Sequence, residues 1–171
     1  MPISLTPPID AGTADVASFV SRTLGVPAAG IERIGGGRNS QVYRVACDDA
    51  RQYVVKRYVE PRVDARDRLG VEFSSLRWLW DHGVREVPQP VASDPDQRWA
   101  AYAYVEGQHI TREDITAADI DDAVRFLASL KALRLRQDSR SVPAASEACF
   151  SVQAILENID LRLGRLAGQG R

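Results

Sequence analysis

The sequence predicts an α+β fold in which a strand-rich half with one inserted helix precedes a helical half. Short runs of β-branched and aromatic residues, separated by turn residues, indicate strands within residues 31–58 and 99–105. Apolar residues spaced three and four apart indicate long helices in residues 117–136 and 152–166.

Length and composition are those of an ordinary globular protein. The chain has 171 residues, 44% of them hydrophobic, and its 22 basic and 23 acidic residues leave a net charge of −1. This balance argues against a disordered chain, a collagen and a protein that binds nucleic acid through bulk charge. We therefore expect one domain or slightly more, and no nucleic-acid partner.

The cysteines and the first residues indicate a cytoplasmic protein. Cys47 and Cys149 are far apart, with no Cys-x-x-Cys and no histidine cluster, so neither a disulfide framework nor a zinc site is expected. The amino terminus lacks a basic segment followed by an apolar run, and no window approaches the roughly 18 apolar residues of a membrane span. We expect no membrane partner.

Residues 1–30 are predicted to form an irregular leader and one helix. The leader would occupy residues 1–12, and Thr13 can cap a helix that runs to about Leu24, with Gly25 just beyond its end. Its buried face would consist of Val16, Phe19, Val20 and Leu24.

Three strands are predicted next, in residues 31–34, 41–46 and 52–58. They are separated by the glycine-rich segment 35–40 and by an Asp-containing turn in residues 47–51. Consecutive strands joined by such short turns favour an antiparallel meander.

A helix, an edge strand and a further strand follow Pro61. The helix is predicted over residues 64–82, and its apolar positions are Leu69, Phe73, Leu76 and Trp80. Residues 84–92 contain two prolines and are predicted to form an edge strand, because proline cannot donate to a ladder. A turn then leads to the strand in residues 99–105, and the two long helices come last. The last helix carries one apolar stripe, formed by Val152, Ile155, Leu156, Ile159, Leu163 and Leu166.

The segment Gly35-Gly36-Gly37-Arg38-Asn39-Ser40 between two strands is the first candidate for a binding site. Consecutive glycines let the backbone approach a ligand closely, and their exposed N–H groups can surround phosphate oxygens. The segment is not a Walker A loop, because Gly-x-x-x-x-Gly-Lys-Ser/Thr is absent and a strand follows. Taken alone, it also fits a flexible hairpin turn.

Lys56 and Glu72 are the next candidates. Of the 22 basic residues, 20 are Arg, and only Lys56 and Lys131 are Lys. A lysine in the apolar run of residues 54–58 therefore suggests a site that needs a compact ammonium. Glu72 lies at the edge of the apolar helix face and can reach inward to pair with it. Taken one at a time, Lys56 also fits an exposed strand lysine and Glu72 a solvated helix glutamate.

In their order along the chain, these features resemble the nucleotide-binding lobe of the protein-kinase-like fold. A glycine-rich hairpin, a Val-x-Lys strand, a helix carrying Glu and the strand Ala101-Tyr102-Ala103-Tyr104-Val105 follow one another. More narrowly, residues 34–45, Ile-Gly-Gly-Gly-Arg-Asn-Ser-Gln-Val-Tyr-Arg-Val, resemble the start of the aminoglycoside phosphotransferase and choline-kinase-like family. The resemblance covers about residues 13–135.

The resemblance implies a nucleotide site. The glycine-rich segment would cover the phosphates, Lys56 would orient the α- and β-phosphates, and Glu72 would hold Lys56 in place. Tyr102 would be the gatekeeper, while the carbonyl of Ala103 and the N–H of Val105 would read the adenine edge. The implied cofactor is ATP or GTP with Mg²⁺, and the implied acceptor is a small-molecule hydroxyl.

The family's catalytic loop, a His-Gly-Asp motif followed by an Asn and an Ile-Asp-like metal motif, has no counterpart in the sequence. His82 is followed by Gly-Val and His109 by Ile-Thr. We therefore expect residues 31–106 to be the nucleotide-binding lobe and residues 107–171 the start of a truncated helical substrate lobe, inactive by itself. The alternative is a naturally short, non-catalytic module that binds nucleotide or a protein partner.

Overall fold

The computed structural model describes residues 11–37, 40–59, 67–143 and 151–167. In chain order the helices and strands are α1 (Ala11–Leu24), β1 (Ala28–Gly36), β2 (Ser40–Cys47), β3 (Gln52–Tyr58), α2 (Arg68–Asp81), β4 (Pro90–Asp94), β5 (Trp99–Ala103), α3 (Ala117–Leu133) and α4 (Val152–Ala167). Two short 3₁₀ helices, Arg112–Asp114 and Gln137–Ser141, flank α3.

The five strands form one antiparallel sheet in the order β1-β2-β3-β5-β4. The first three strands are neighbours in sequence and in space, which agrees with the predicted meander. β4 lies at the edge of the sheet and begins at Pro90, where a missing N–H costs no ladder bond. β3 is the central strand, since it pairs with β2 on one side and β5 on the other.

Helix α1 covers one face of the sheet. Val16, Phe19 and Val20 are fully buried, as their spacing predicts. Phe19 stacks on Trp99 with 5.8 Å between the ring centroids. Gly25 ends the helix with φ 68°, the left-handed conformation expected of a glycine in that position. The sheet contributes Tyr43, Val45, Cys47, Tyr53, Val55, Trp99 and Ala101 to this core.

Helix α2 covers the opposite face. Side chains alternate between the two faces along a strand, and the alternate residues of β3 and β5 form a second core. Its buried members are Tyr58, Ala100 and Tyr102 from the sheet and Leu69 from α2. The Phe73 ring lies 6.1 Å from the Tyr102 ring and closes this core from the helix side.

Helix α1 begins three residues earlier than expected, since a cap at Thr13 would make Ala14 its first residue. It includes Ala11 and Gly12, so the expected cap at Thr13 and the end of the leader at residue 12 are wrong. The spacing of apolar residues predicts which face of a helix is buried, but it does not predict where the helix begins. The first N–H groups of a helix have no partner within it, so its start depends on groups outside the helix.

Helix α2 begins at Arg68, because the Asp67 carboxylate accepts a hydrogen bond from the Gly70 N–H at 2.8 Å. A side chain that caps the first turn in this way defines the start of a helix. The expected start at Asp64 lies outside the described residues, and the helix ends at Asp81, with His82 as its C-cap.

Four strands also differ from their expected bounds, and β2 differs least, since it extends one residue further at each end. β1 continues to Gly36, because Gly35 pairs with Val42 and Gly36 with Gln41. β5 ends at Ala103 and not at residue 105, because its ladder with β3 ends at the pair of Ala103 with Tyr53, close to the first residue of β3. The edge strand β4 occupies residues 90–94 and not 84–92, since only that stretch faces β5.

Helices α3 and α4 expose their apolar faces. α3 starts with a capping box between Thr116 and Asp119, whose hydrogen bonds lower the pKa of the Asp119 carboxyl. It ends at Leu133, three residues before the expected end. The exposed apolar residues of the two helices are Ile120, Val124, Leu127, Val152, Ile155, Leu156, Ile159, Leu161 and Leu163.

One polar contact joins the end of α2 to the second half of the chain. The Asp138 carboxylate, in the second 3₁₀ helix, lies 2.7 Å from Nε2 of His82. In the part of the chain that the structure describes, no helix is both long and apolar enough to span a membrane.

We expect Phe19→Ala to lower the free energy of unfolding by about 3–5 kcal/mol, because it removes a fully buried ring and leaves a cavity beside Trp99. Leu135→Ala is the control, since Leu135 is 82% exposed and its truncation should change stability by less than about 0.5 kcal/mol. Urea denaturation measures both. Equal effects of the two substitutions would show that α1 does not pack on the sheet.

Candidate functional site

Lys56 lies on the α2 face of the sheet, near its centre. The strand pairings align Gly35 of β1, Val42 of β2, Lys56 of β3 and Ala100 of β5 in one row across the sheet. Residues paired in this way point to the same face. The lysine is therefore placed on the strand next to the glycine-rich hairpin and on the same side of the sheet as α2.

The ammonium of Lys56 is bound by the carboxylate of Glu72. Nζ lies 2.6 Å from Oε2 and 2.9 Å from Oε1, so the structure brings the two predicted partners together. Glu72 reaches the lysine because α2 starts at the Asp67 cap and turns this position toward the sheet. The side chains are 22% and 37% exposed, respectively. A pair this accessible contributes only about 0–1 kcal/mol to stability, so its importance lies in where it holds the charge.

Two buried tyrosines lie directly behind the ion pair. The hydroxyls of Tyr58 and Tyr102 are 2.8 Å apart, and Nζ of Lys56 lies 4.8 Å from the centre of the Tyr58 ring. Burial, the hydrogen bond to Tyr102 and the nearby Glu72 carboxylate hold the pKa of Tyr58 far above its usual range. Burial also raises the pKa of Tyr102. Both hydroxyls are therefore neutral hydrogen-bonding groups.

The hairpin between β1 and β2 brings backbone close to this face. Gly36 has φ 140°, and a Cβ there would lie 2.8 Å from the Ser40 carbonyl oxygen. Only glycine fits such a backbone without strain. The Gly37 N–H donates to the Ser40 carbonyl at 2.8 Å and closes the turn. Arg38 and Asn39, at the tip of the predicted phosphate-binding segment, lie outside the described residues.

The segment that follows β5 is held by the backbone of two other segments. The Ala103 N–H donates to the Gln89 carbonyl at 2.9 Å, and the Tyr104 N–H donates to the Gln52 carbonyl at 3.1 Å. The guanidinium of Arg44 lies 4.5 Å above the Tyr104 ring. The chain therefore leaves the sheet in a defined direction, with Val105 exposed after it.

The ion pair, Tyr102, the glycine hairpin and the segment after β5 surround a cavity of about 760 Å³, a size typical of small-molecule sites. The cavity is lined by Ile34, Gly36, Ser40, Val42, Val54, Lys56, Glu72, Leu76, Pro88 and residues 102–109. Seven predicted site residues are thus brought together: Gly36, Ser40, Lys56, Glu72, Tyr102, Ala103 and Val105. Gly35 and Gly37 lie in the hairpin but do not line the cavity.

Sequence reasoning missed the apolar lining and the tyrosine behind it. Val42 and Val54 line the cavity because each occupies a position on the Lys56 side of its strand, and the two-residue period could have identified them. Leu76 lies one helical turn after Glu72, which also places it on this side. Tyr58 gives no separate signal, because its contact with Tyr102 joins residues far apart in the chain.

A second cavity, of about 780 Å³, opens beside the end of α2 and shares only Ala103 with the first. Three arginines line it, but two of them already have partners. Arg51 lies 2.5 Å from the Asp49 carboxylate, and Arg85 donates to the Trp80 carbonyl at 2.7 Å. It has neither a glycine hairpin nor a lysine, so we place the candidate site in the first cavity.

The described residues do not provide a ligand set for a metal ion by themselves. Across residues 11–37, 40–59, 67–143 and 151–167, no three His, Cys, Asp or Glu side chains come together in a group that could hold one. We therefore assign none of these residues to the Mg²⁺ that the resemblance implies.

Comparison with known proteins agrees with this geometry. The model of the phosphotransferase enzyme family (APH) matches residues 30–165 of the chain. The solved complex of gentamicin with APH(2")-IIa has 21% sequence identity and a TM-score of 0.66, and the match covers 96% of this chain and 52% of that one. This likeness shows that the strand-rich part has the fold of a protein-kinase-like amino-terminal lobe, as predicted.

Two further solved structures match over a smaller part of their own length. A protein described as a fructosamine-3-kinase, from Thermobifida fusca, has 27% identity and a TM-score of 0.47 over 56% of this chain and 33% of its own. The complex of Rio2 kinase from Chaetomium thermophilum with ADP/Mg²⁺ and phosphoaspartate has 23% identity and a TM-score of 0.45 over 73% and 40%. The chain thus spans about half or less of the length of these three proteins. No curated protein matches it.

We expect Gly36→Ala to lower the free energy of unfolding by about 1–3 kcal/mol, because the new Cβ meets the Ser40 carbonyl and the backbone has a positive φ. Gly37→Ala is the matched control. A Cβ at Gly37 meets nothing within 4 Å, so its effect should stay within about 0.5 kcal/mol. Urea denaturation measures both, and a harmless Gly36→Ala would contradict the described hairpin.

Proposed function

The chain belongs to the phosphotransferase enzyme family, and on that basis we propose that it is the nucleotide-binding part of an enzyme that transfers the γ-phosphoryl group of ATP or GTP to the hydroxyl of a small molecule. In this proposal residues 31–106 form the nucleotide-binding lobe, and residues 107–171 begin the helical lobe that binds the acceptor.

One observation supports the proposal most directly: the Lys56 ammonium, 2.6 Å from Glu72, faces a cavity that the glycine hairpin borders. An ammonium is a compact cation with three donors, which suits the negative charge of a polyphosphate. The carboxylate would keep that ammonium in one position, and Gly36, which has no side chain, would let the hairpin backbone come close to the phosphates. Lys56 would thus bind and orient the α- and β-phosphates.

The rest of the cavity lining suits a nucleobase. Tyr102 and the chain from Ala103 to His109 form part of the cavity wall. In the proposal, the carbonyl of Ala103 and the N–H of Val105 bind the polar edge of the base, while Val42, Val54 and Leu76 contact its faces. Backbone groups are suited to this role because β5 fixes Ala103, and the hydrogen bond from the Tyr104 N–H to the Gln52 carbonyl holds the chain just before Val105.

The chain's own contribution is binding and orientation. Phosphoryl transfer depends mainly on positioning and on stabilising negative charge. The sequence contains no His-Gly-Asp motif, so we assign no residue of this chain to the base that orients the acceptor hydroxyl. Mg²⁺ bound with the nucleotide would neutralise charge on the phosphates.

We expect ATP or GTP, added with Mg²⁺, to protect Lys56 from an amine-acylating reagent. Lys131 is the internal control, because it is exposed on α3, away from the cavity. Peptide mass spectrometry separates the two sites, since these are the only lysines of the chain. Unchanged acylation of Lys56 at saturating nucleotide would contradict the proposal, as would equal protection of both lysines.

We expect Lys56→Ala to weaken nucleotide binding by about tenfold or more, because it removes a charged hydrogen-bond donor from the phosphates. Lys56→Arg should not restore it, since a guanidinium is longer and planar and cannot replace the ammonium beside Glu72. Lys131→Arg should bind as tightly as the unaltered chain. Calorimetric titration measures all three, and normal affinity in Lys56→Arg would remove the lysine from the proposed phosphate site.

We expect the 171-residue chain to bind nucleotide without transferring phosphate to any member of a panel of small alcohols, since it supplies no residue to orient the acceptor. Radiolabelled ATP and GTP give the required sensitivity, with Lys56→Ala prepared in parallel as the contaminant control. Transfer by the unaltered chain but not by this variant would show that the chain is active by itself.

A further inference from the structure

Tyr104 links the sheet to the proposed base-binding position at Val105. The Tyr104 N–H donates to the Gln52 carbonyl at 3.1 Å, one residue beyond the last ladder pair between β3 and β5. Val105 lines the same cavity and is 63% exposed. The place of the Val105 N–H therefore depends on how firmly Tyr104 is held, because a single hydrogen bond at the end of a ladder opens easily.

The side chain of Arg44, on β2, holds the Tyr104 ring. Its guanidinium carbon lies 4.5 Å from the centre of that ring, a distance at which a cation and an aromatic face attract each other. Arg44 pairs across the strands with Val54, which lines the cavity. Tyr104 follows Tyr102, another lining residue, by two positions. Both side chains therefore lie on the cavity side of the sheet.

The side chain of Gln52 fixes the guanidinium of Arg44. Nε and Nη2 of Arg44 donate to Oε1 of Gln52 at 3.0 and 2.7 Å. A guanidinium has donors and no acceptor, so only the amide oxygen of Gln52 can face it. Two donors on one oxygen restrict the plane of the guanidinium more than a single hydrogen bond would, and this plane is the surface that meets the Tyr104 ring.

The three residues restrain one another in a closed ring of contacts. Gln52 accepts from the Tyr104 backbone with its carbonyl and from Arg44 with its side chain, while Arg44 lies over the Tyr104 ring. β2, the first residue of β3 and the segment after β5 are thereby joined. All three residues are half-buried, so water competes less with these contacts than it does at an open surface.

We propose that Arg44 is a positioning residue, which holds Tyr104 and through it keeps the backbone of Ala103 and Val105 in place for the edge of a purine base. The identity of the ligand rests on the proposed function, whereas the positioning is a property of the chain without nucleotide. Among the described residues, Tyr104 lines the cavity and Arg44 does not, so Arg44 acts on the base only through Tyr104.

The positioning is tested by hydrogen exchange of the Tyr104 amide in the nucleotide-free 171-residue chain, followed by NMR. Arg44→Ala should raise the exchange rate of this amide by about fivefold, the scale of one cation–π contact. The Val55 amide, in the middle of the central strand, should not change. An equal rise at both amides would mean loosening of the whole sheet and would overturn the proposal, as would an unchanged rate at Tyr104.

Arg57→Ala is the matched control. Arg57 also lies in the sheet, with its guanidinium 5.4 Å from the centre of the Trp99 ring. Trp99, however, belongs to the α1 core and lies at the opposite end of β5 from Ala103. Arg57→Ala therefore removes the same charge and the same kind of contact without touching Tyr104, whose exchange rate should stay unchanged. An equal rise in this variant would contradict the assignment of Arg44.

A double-mutant cycle tests whether Arg44 acts through the Tyr104 ring. Tyr104→Phe keeps the ring, and its amide at position 104 should exchange as in the unaltered chain after correction for the intrinsic rates. In the Tyr104→Leu background, Arg44→Ala should change the rate at this position by less than about twofold, because the ring that Arg44 holds is gone. A full fivefold rise in that background would overturn the proposed contact.

The effect on nucleotide binding is measured through protection of Lys56 from acylation. Arg44→Ala and Arg44→Lys should both raise the half-protecting concentration of ATP or GTP by about fivefold, since lysine keeps the charge but lacks the planar fork. Normal protection in Arg44→Lys would mean that Arg44 acts by charge alone and would overturn the proposal. If Arg44→Ala speeds exchange at Tyr104 but neither nucleotide protects Lys56 in the unaltered chain, the positioning holds and the proposed function fails.

Discussion

Strand β3 is hydrogen-bonded along both edges and covered on both faces, and the candidate site depends on this burial. Its pairing with β2 and β5 fixes the register, and the α1 core requires Tyr53 and Val55 to point to one side. Lys56 and Tyr58 must then point to the other side, toward α2. A shift of one residue would bury the lysine against Val16 and Phe19, at a cost of several kcal/mol. The hydrophobic core therefore determines where the ammonium lies.

The ion pair contributes little to stability. Its geometry is fixed by the well-packed residues around it, which contribute much more. An accessible lysine–glutamate contact contributes about 0–1 kcal/mol, whereas truncating one large buried side chain costs about 3–5 kcal/mol. The cap at Asp67 and the packing of Phe73 on Tyr102 hold the helix that carries Glu72. The apolar core supplies the stability, and the charges supply the recognition.

The two halves of the chain differ in how completely they are packed. In the strand-rich half, helices cover both faces of the sheet, while the apolar residues of α3 and α4 stay exposed. The contact between His82 and Asp138 is polar and lies near the surface. Unpaired apolar helix faces fit the proposal that residues 107–171 begin a second lobe, since such faces are stable only when another layer covers them.

Local patterns in the sequence determine the α+β order, the buried face of α1 and the strand that carries Lys56, because each depends on periodicity within a few residues. The same patterns suggested that Glu72 could pair with the lysine. They could not place the start of α2, the end of β5 or the contact of Tyr58 with Tyr102. Those depend on a cap, on the length of a partner strand and on two residues 44 positions apart. Only the tertiary structure decides such features, because they arise when distant segments pack together and exclude water.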